Sequence, residues 1–179
     1  AGLVHRDLKP ANIMVCRRAG EFDVVKVLDF GLVKPVETST SQRITSTDMV
    51  AGTPQYIAPE RLSDPETNDP RSDIYSLGAV AYFLLTGNDF VSGSSLAEIL
   101  LKVVSAPPIR PSSNTETSIP PELDELVYRC LAKDPEDRPA SVGEIIAVLD
   151  GIHSLDSWEQ GDAKSWWESE QVRSGNNKP

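Results

Sequence analysis

Three features of the sequence predict an α+β fold that is mostly helical, with one short β-hairpin near its start. Residues 13–16 (IMVC) and 24–28 (VVKVL) are apolar, partly β-branched runs. The polar stretch RRAGEFD between them makes the pair read as a hairpin. The segment IYSLGAVAYFLLTG, residues 74–87, is apolar nearly all round, as expected of a helix at the centre of a fold. Three further helical patterns follow it.

The elements follow in order. After the hairpin, residues 34–49 are rich in Ser and Thr without periodicity and read as a long loop, a length usually reserved for functional or disordered segments. APERLSD reads as a short helix stopping near Pro65. NDPRSD offers turn chemistry and an N-cap at Ser72 or Asp73. The central helix ends at Gly87, suited to a left-handed residue after the last turn. The later helices are expected at Ser95–Ser105, Pro121–Ala132 and Ser141–Ile152, the first two separated by the proline-rich APPIRPSSNTETSIPP. The acidic stretch DSWEQGDAKSWWESE carries all three tryptophans, Trp158, Trp166 and Trp167. Their near-helical spacing reads as a helix packed on its own domain. No internal repeat is visible.

Composition narrows the function. The 179 residues are 39% hydrophobic and 25% charged, ordinary for a globular chain. A net charge of −10 argues against a nucleic-acid partner, which requires a basic face. Cys16 and Cys130 lie far apart, with neither metal spacing nor a disulfide framework. They read as inert core thiols of a cytoplasmic protein. No apolar run approaches membrane-span length and no signal peptide is visible, which leaves open an anchor outside this segment. The chain begins with alanine, so a fragment or processed piece is expected.

The stretch HRDLKPANIM, residues 5–14, concentrates the chemistry. Asp7 is a proton acceptor or metal ligand, Lys9 neutralises an anion, and Asn12 offers a neutral oxygen. In VLDFG, Asp29 ends the second strand. A hairpin brings its open ends together, so Asn12 and Asp29 are expected to be neighbours. Two such oxygens suit Mg²⁺, which takes one or two protein ligands plus substrate phosphates. A base, a lysine and a magnesium pair on one rim equip a site for phosphoryl transfer, where positioning and charge stabilisation dominate.

HRDLKPAN, then DFG, then APE resembles the protein-kinase signature set in its usual order. GTPQYIAPE, RSDIYSLGAVAYFLLTG and DPEDRP extend the resemblance to the C-terminal lobe of a bacterial-type Ser/Thr protein kinase, over roughly residues 1–152. It implies a kinase-like fold whose helical C-terminal lobe carries the hairpin at the catalytic loop. A Trp-rich helical tail at 153–171 and a disordered end at 172–179 would follow. It implies ATP with Mg²⁺, or Mn²⁺ in its place, protein substrates bearing Ser or Thr, and dimerisation for autophosphorylation. By resemblance, Asp7 orients the substrate hydroxyl and accepts its proton, Lys9 contacts the γ-phosphate, and Asn12 and Asp29 hold the metal. Met14 forms the floor beneath adenine. His5 and Phe30 stack in a hydrophobic column, and Thr53 faces the peptide substrate. Arg6 is expected to meet a phosphate on Thr47 or Thr45, which lie in the loop before Gly52. Glu60 and Arg138 would form a buried ion pair, and Asp73 would cap the central helix and hold the His5–Asp7 turn. Lys26 in VVKVLDF imitates an ATP-binding lysine strand but precedes DFG, and reads as an exposed strand residue. Tyr75 stands where many relatives carry tryptophan.

The same resemblance marks what these residues lack. No G-x-G-x-x-G occurs, and only four residues precede His5, so the N-terminal lobe is expected to be absent and this chain alone inactive. Two other readings compete. One is a small-molecule phosphotransferase, against which GTPQYIAPE counts as a peptide-docking loop. The other is a non-catalytic kinase-like interaction module, against which the intact Asp7, Lys9, Asn12 and Asp29 count.

Overall fold

In the computed structural model, residues 4–28, 54–154 and 157–175 are described, with side chains as far as residue 169. Strands β1 (Ile13–Arg18) and β2 (Glu21–Val27) form a two-stranded antiparallel sheet, followed by helices α1 (Pro59–Ser63), α2 (Arg71–Thr86), α3 (Leu96–Ser105), α4 (Pro121–Cys130), α5 (Val142–Asp150) and α6 (Gln160–Gly175). Single 3₁₀ turns punctuate the chain, one of them at Pro10–Asn12 just ahead of β1.

The hairpin differs from its sequence reading. RRAGEFD is mostly strand, and the turn is only Ala19–Gly20, with φ of 51° and 90°. Two successive positive φ values make a turn whose twist matches that of the flanking strands. The register runs Met14 opposite Lys26 and Cys16 opposite Val24, then slips so that Arg18 faces Glu21. Phe22 and Asp23 together therefore face Arg17, a β-bulge, and Asp23 takes φ 55°.

Helix α2 lies at the centre, burying Ile74, Tyr75, Ala79, Val80 and Tyr82. It ends at Gly87 (φ 70°), whose N–H reaches Phe83 O at 2.8 Å. Its last turn is not enclosed: Leu84 is 75% exposed. The expected cap is also different. Pro70 occupies the N-cap, Asp69 Oδ1 accepts the Arg71 N–H at 2.8 Å, and Asp73 lies inside the first turn with its carboxylate directed elsewhere. Proline there supplies no side-chain acceptor, so the preceding aspartate does the capping.

One face of α2 joins Tyr56, Phe90, Val91, Val103, Val127 and Leu131. The other meets Leu126, Cys130 and Ile145. Gly78 makes the α2–α4 contact close: a Cβ built there would stand 2.6 Å from Cys130 Cβ. Ser95 and Ser141 cap α3 and α5 by accepting the Glu98 and Glu144 amides, following the S-x-x-E pattern. Helix α6 continues through Gly175, four residues into the stretch expected to be disordered. Among the described residues no helix is long and apolar enough to cross a membrane.

Candidate active site

The turn from His5 to Asp7 is held from the central helix. Asp73 Oδ2 accepts the His5 N–H at 2.5 Å and Oδ1 accepts the Arg6 N–H at 2.9 Å. Arg6 sits at φ 70°, a conformation a side-chain-bearing residue keeps only when its surroundings hold it there. Arg61 of α1 adds a third restraint, its Nη1 donating to Arg6 O. His5 is buried. Its Nδ1 accepts from the Asp7 N–H at 3.3 Å, and Nε2 lies 2.9 Å from Leu28 O, to which it donates.

These restraints present Asp7 with its carboxylate 55% exposed. Lys9 Nζ donates to both carboxylate oxygens, at 3.0 and 2.8 Å. Buried Asn12 donates Nδ2 to Asp7 O at 2.7 Å and to Asp7 Oδ2 at 2.9 Å. With its amide nitrogen so engaged, Asn12 keeps its side-chain carbonyl oxygen as an acceptor. Asn12 O also takes the Leu28 N–H at 2.8 Å, closing the open end of the hairpin next to position 29. Met14 is 47% exposed and shares a sheet face with exposed Lys26, its cross-strand partner.

Behind the site, Arg138 is fully enclosed and uses all five of its N–H donors. Nη1 and Nη2 meet the two Glu60 oxygens at 2.8 Å each, Nη1 also reaches Arg71 O, Nη2 reaches Lys133 O, and Nε reaches Ala132 O. Ser72 Oγ adds a bond to Glu60 Oε1 at 2.7 Å. Burial alone would push the Glu60 carboxyl up. The hydrogen bonds from Arg138 and Ser72 outweigh it and hold the group below its ordinary value.

The structure thus brings together His5, Arg6, Asp7, Lys9, Asn12 and Asp73, and separately Glu60 and Arg138. Asp29, Phe30, Thr45, Thr47 and Thr53 lie outside the described residues. Among the described residues no group of three or more His, Cys, Asp or Glu is placed to hold a metal. The thiols are unremarkable: buried Cys130 is pushed up to about 12 by desolvation, and Cys16 Sγ bonds Val24 O. His153 is exposed.

Sequence reasoning passed over two residues here. Arg61 is half-buried with its Nε unpaired among the described residues, and burial together with the Arg6 charge lowers its pKa. Its place directly after Glu60 was the only available signal. Lys133 has a buried Nζ without a hydrogen-bond partner among the described residues, over the rings of Tyr75 and Phe90.

A helical domain with one hairpin, a carboxylate–lysine–asparagine cluster at the hairpin mouth and a buried Glu–Arg pair behind it defines a recognisable class. The protein kinase domain family model matches residues 1–148, and the chain belongs to that family. It is similar to Serine/threonine-protein kinase PknB of Mycolicibacterium smegmatis, with 40% identity over 152 residues, 85% of this chain and 23% of that protein. PknB of Mycobacterium leprae is 42% identical over 153 residues, covering 86% and 23%. Serine/threonine-protein kinase pkn3 of Myxococcus xanthus is 40% identical over 154 residues, covering 85% and 28%. The likeness is to bacterial Ser/Thr protein kinases, and the chain spans about a quarter of the length of these relatives.

Proposed function

We propose that the protein carrying this chain transfers the γ-phosphate of ATP to Ser and Thr hydroxyls of protein substrates. One observation carries the reading: Asp7, Lys9 and Asn12 converge on one exposed carboxylate, on a turn pinned to α2 through both oxygens of Asp73. In this reading an Asp7 oxygen orients the substrate hydroxyl and takes its proton as the hydroxyl oxygen attacks the γ-phosphorus and the bond to ADP breaks. Lys9, already at Asp7, supplies the positive charge that the transferred phosphoryl group requires. Met14, on the open face of β1, would underlie the adenine.

The donor set fits a magnesium ion. Asn12 Oδ1 is the acceptor left over once Nδ2 is committed to Asp7, and Asp29 follows directly on the residue bonded to Asn12. Bound there, Mg²⁺ or Mn²⁺ would neutralise phosphate charge. Thr53 would contact the peptide substrate.

Arg6 points its guanidinium at Asn68 Oδ1, at 3.2 Å, a neutral and exposed partner. A phosphate on Thr47 or Thr45 would be a stronger partner for it, because a charge-assisted, bidentate bond outcompetes a neutral one. Phosphopeptide mapping of the active protein should find one of these threonines modified, and finding neither would remove the switch from the account.

These 179 residues contain no Gly-rich phosphate loop, so the chain assayed alone should show negligible transfer. Substrate class is decided by giving the protein that carries the chain labelled ATP with Ser/Thr-bearing proteins and, in parallel, with aminoglycosides and sugars. Label on protein Ser and Thr is expected. Label on the small molecules alone would reverse the assignment, and label on neither would favour a non-catalytic module.

A further inference from the structure

The Trp-rich tail makes a second constellation, away from the catalytic turn. Asp23, at the bulge of β2, accepts two indole N–H groups, Trp158 Nε1 on Oδ2 at 2.8 Å and Trp167 Nε1 on Oδ1 at 2.7 Å. Beside it the Gln160 side-chain amide pairs with the Phe22 backbone like a strand residue, accepting from N at 2.8 Å and donating to O at 3.0 Å. Arg17, opposite on β1, lies 5.8 Å from the Trp167 ring centre, and Ala163 of α6 is 1% exposed. The bulge explains why Asp23 is available: its positive φ breaks the alternation and turns this one carboxylate toward the helix.

We propose that α6 and Trp158 form a clasp on the hairpin, with Asp23, Gln160 and Trp167 as positioning residues for the metal-binding end of the hairpin at Asn12. A two-stranded sheet is marginally stable in water unless something packs on it. At its mouth the hairpin is tied down by Ile13, which packs against the main core, and by the Asn12–Leu28 bond. At the turn end it is tied down by the clasp. Arg17 lies four residues along β1 from Ile13, about 13 Å of extended backbone, and Asn12 directly precedes Ile13, so freeing the turn end lets the strand pair fray toward the ligand oxygen. The inference rests on the reading of Asn12 as a metal ligand.

The test uses Trp158→Phe/Trp167→Phe, which keeps an aromatic ring at each position and deletes both N–H donors, with Asp23→Ala as an independent variant and Lys164→Ala, at an exposed α6 residue, as the control. In the protein that carries the chain, hydrogen exchange of the amides from Ile13 to Leu28 should quicken in the clasp variants and not in the control. In the protein that carries the chain, the Mg²⁺ concentration for half-maximal peptide phosphorylation should rise by about tenfold, as for other residues that orient a ligand, with the peptide KM unchanged. Unaltered exchange in the hairpin overturns the clasp. So does an unmoved Mg²⁺ half-point where Asn12→Ala moves it. If Asn12→Ala does not move it either, the metal reading fails and the inference falls with it.

Discussion

Arg138 has no donor to spare, and that makes its contribution measurable. Arg138→Met leaves the Glu60 carboxylate without its cation and takes a donor from three backbone carbonyls, those of Arg71, Ala132 and Lys133. Chemical denaturation should show a loss of about 3–5 kcal/mol, and Arg138→Lys should recover only part of it because an ammonium lacks the planar fork. Tyr75 behaves oppositely. It is fully buried and its hydroxyl has no partner among the described residues, so Tyr75→Phe should leave the denaturation midpoint equal or raised. Lys133 gives a pH signature. Desolvation and the Arg138 charge depress it from 10.5 to about 8. Between those values the unfolded chain keeps a proton that the folded chain has released, so this group adds stability as pH rises from about 8 to about 10.5 and contributes a constant penalty below about 8. Calorimetry from pH 7 to pH 10 should show Lys133→Met with a higher midpoint at pH 7 and a flatter rise than the parent. Asp7, Asn12, Glu60 and Arg138 were legible in the sequence because motif spacing identifies them. Arg61 and Lys133 were not, since what distinguishes them is burial beside residues 55 or more positions away, or beside a ring that only packing brings near.

The helices were legible to within a few residues because their signals are local. Ser95 and Ser141 each precede a glutamate by three positions, Gly87 stops α2, and prolines open α1 and α4. Ser141→Ala should therefore cost about 1 kcal/mol, read as a lowered denaturation midpoint. The hairpin was misread at its turn because apolar runs delimit its strands in the sequence and the polar stretch between them reads as turn. Here Val15 and Val25 are largely exposed, while the polar stretch includes strand residues that pair and bulge. The α2–α4 contact rests on Gly78 for lack of a Cβ rather than for backbone freedom. Gly78→Ala must push Cys130 away, and the overpacking should destabilise the fold by about 1–3 kcal/mol despite alanine's better helix propensity.

At the scale of the molecule, α2 joins the two side-chain clusters described above. Its first turn holds the His5–Asp7 turn through Asp73 and, through Ser72, the Glu60–Arg138 pair; its middle builds the core with α4. The order HRD, DFG, APE told which class of site to look for. It did not tell that a tail helix bonds the far end of the hairpin, because the Asp23 contacts span 135 and 144 residues and depend on a bulge that no local pattern announces. The central claim is that Asp7 handles the substrate proton. Steady-state peptide phosphorylation by the protein that carries this chain, with Asp7→Asn against the parent, tests it most directly. The account predicts a kcat lower by about 100-fold or more with the ATP KM little changed. A kcat within a few fold of the parent, in a folded variant, would contradict it.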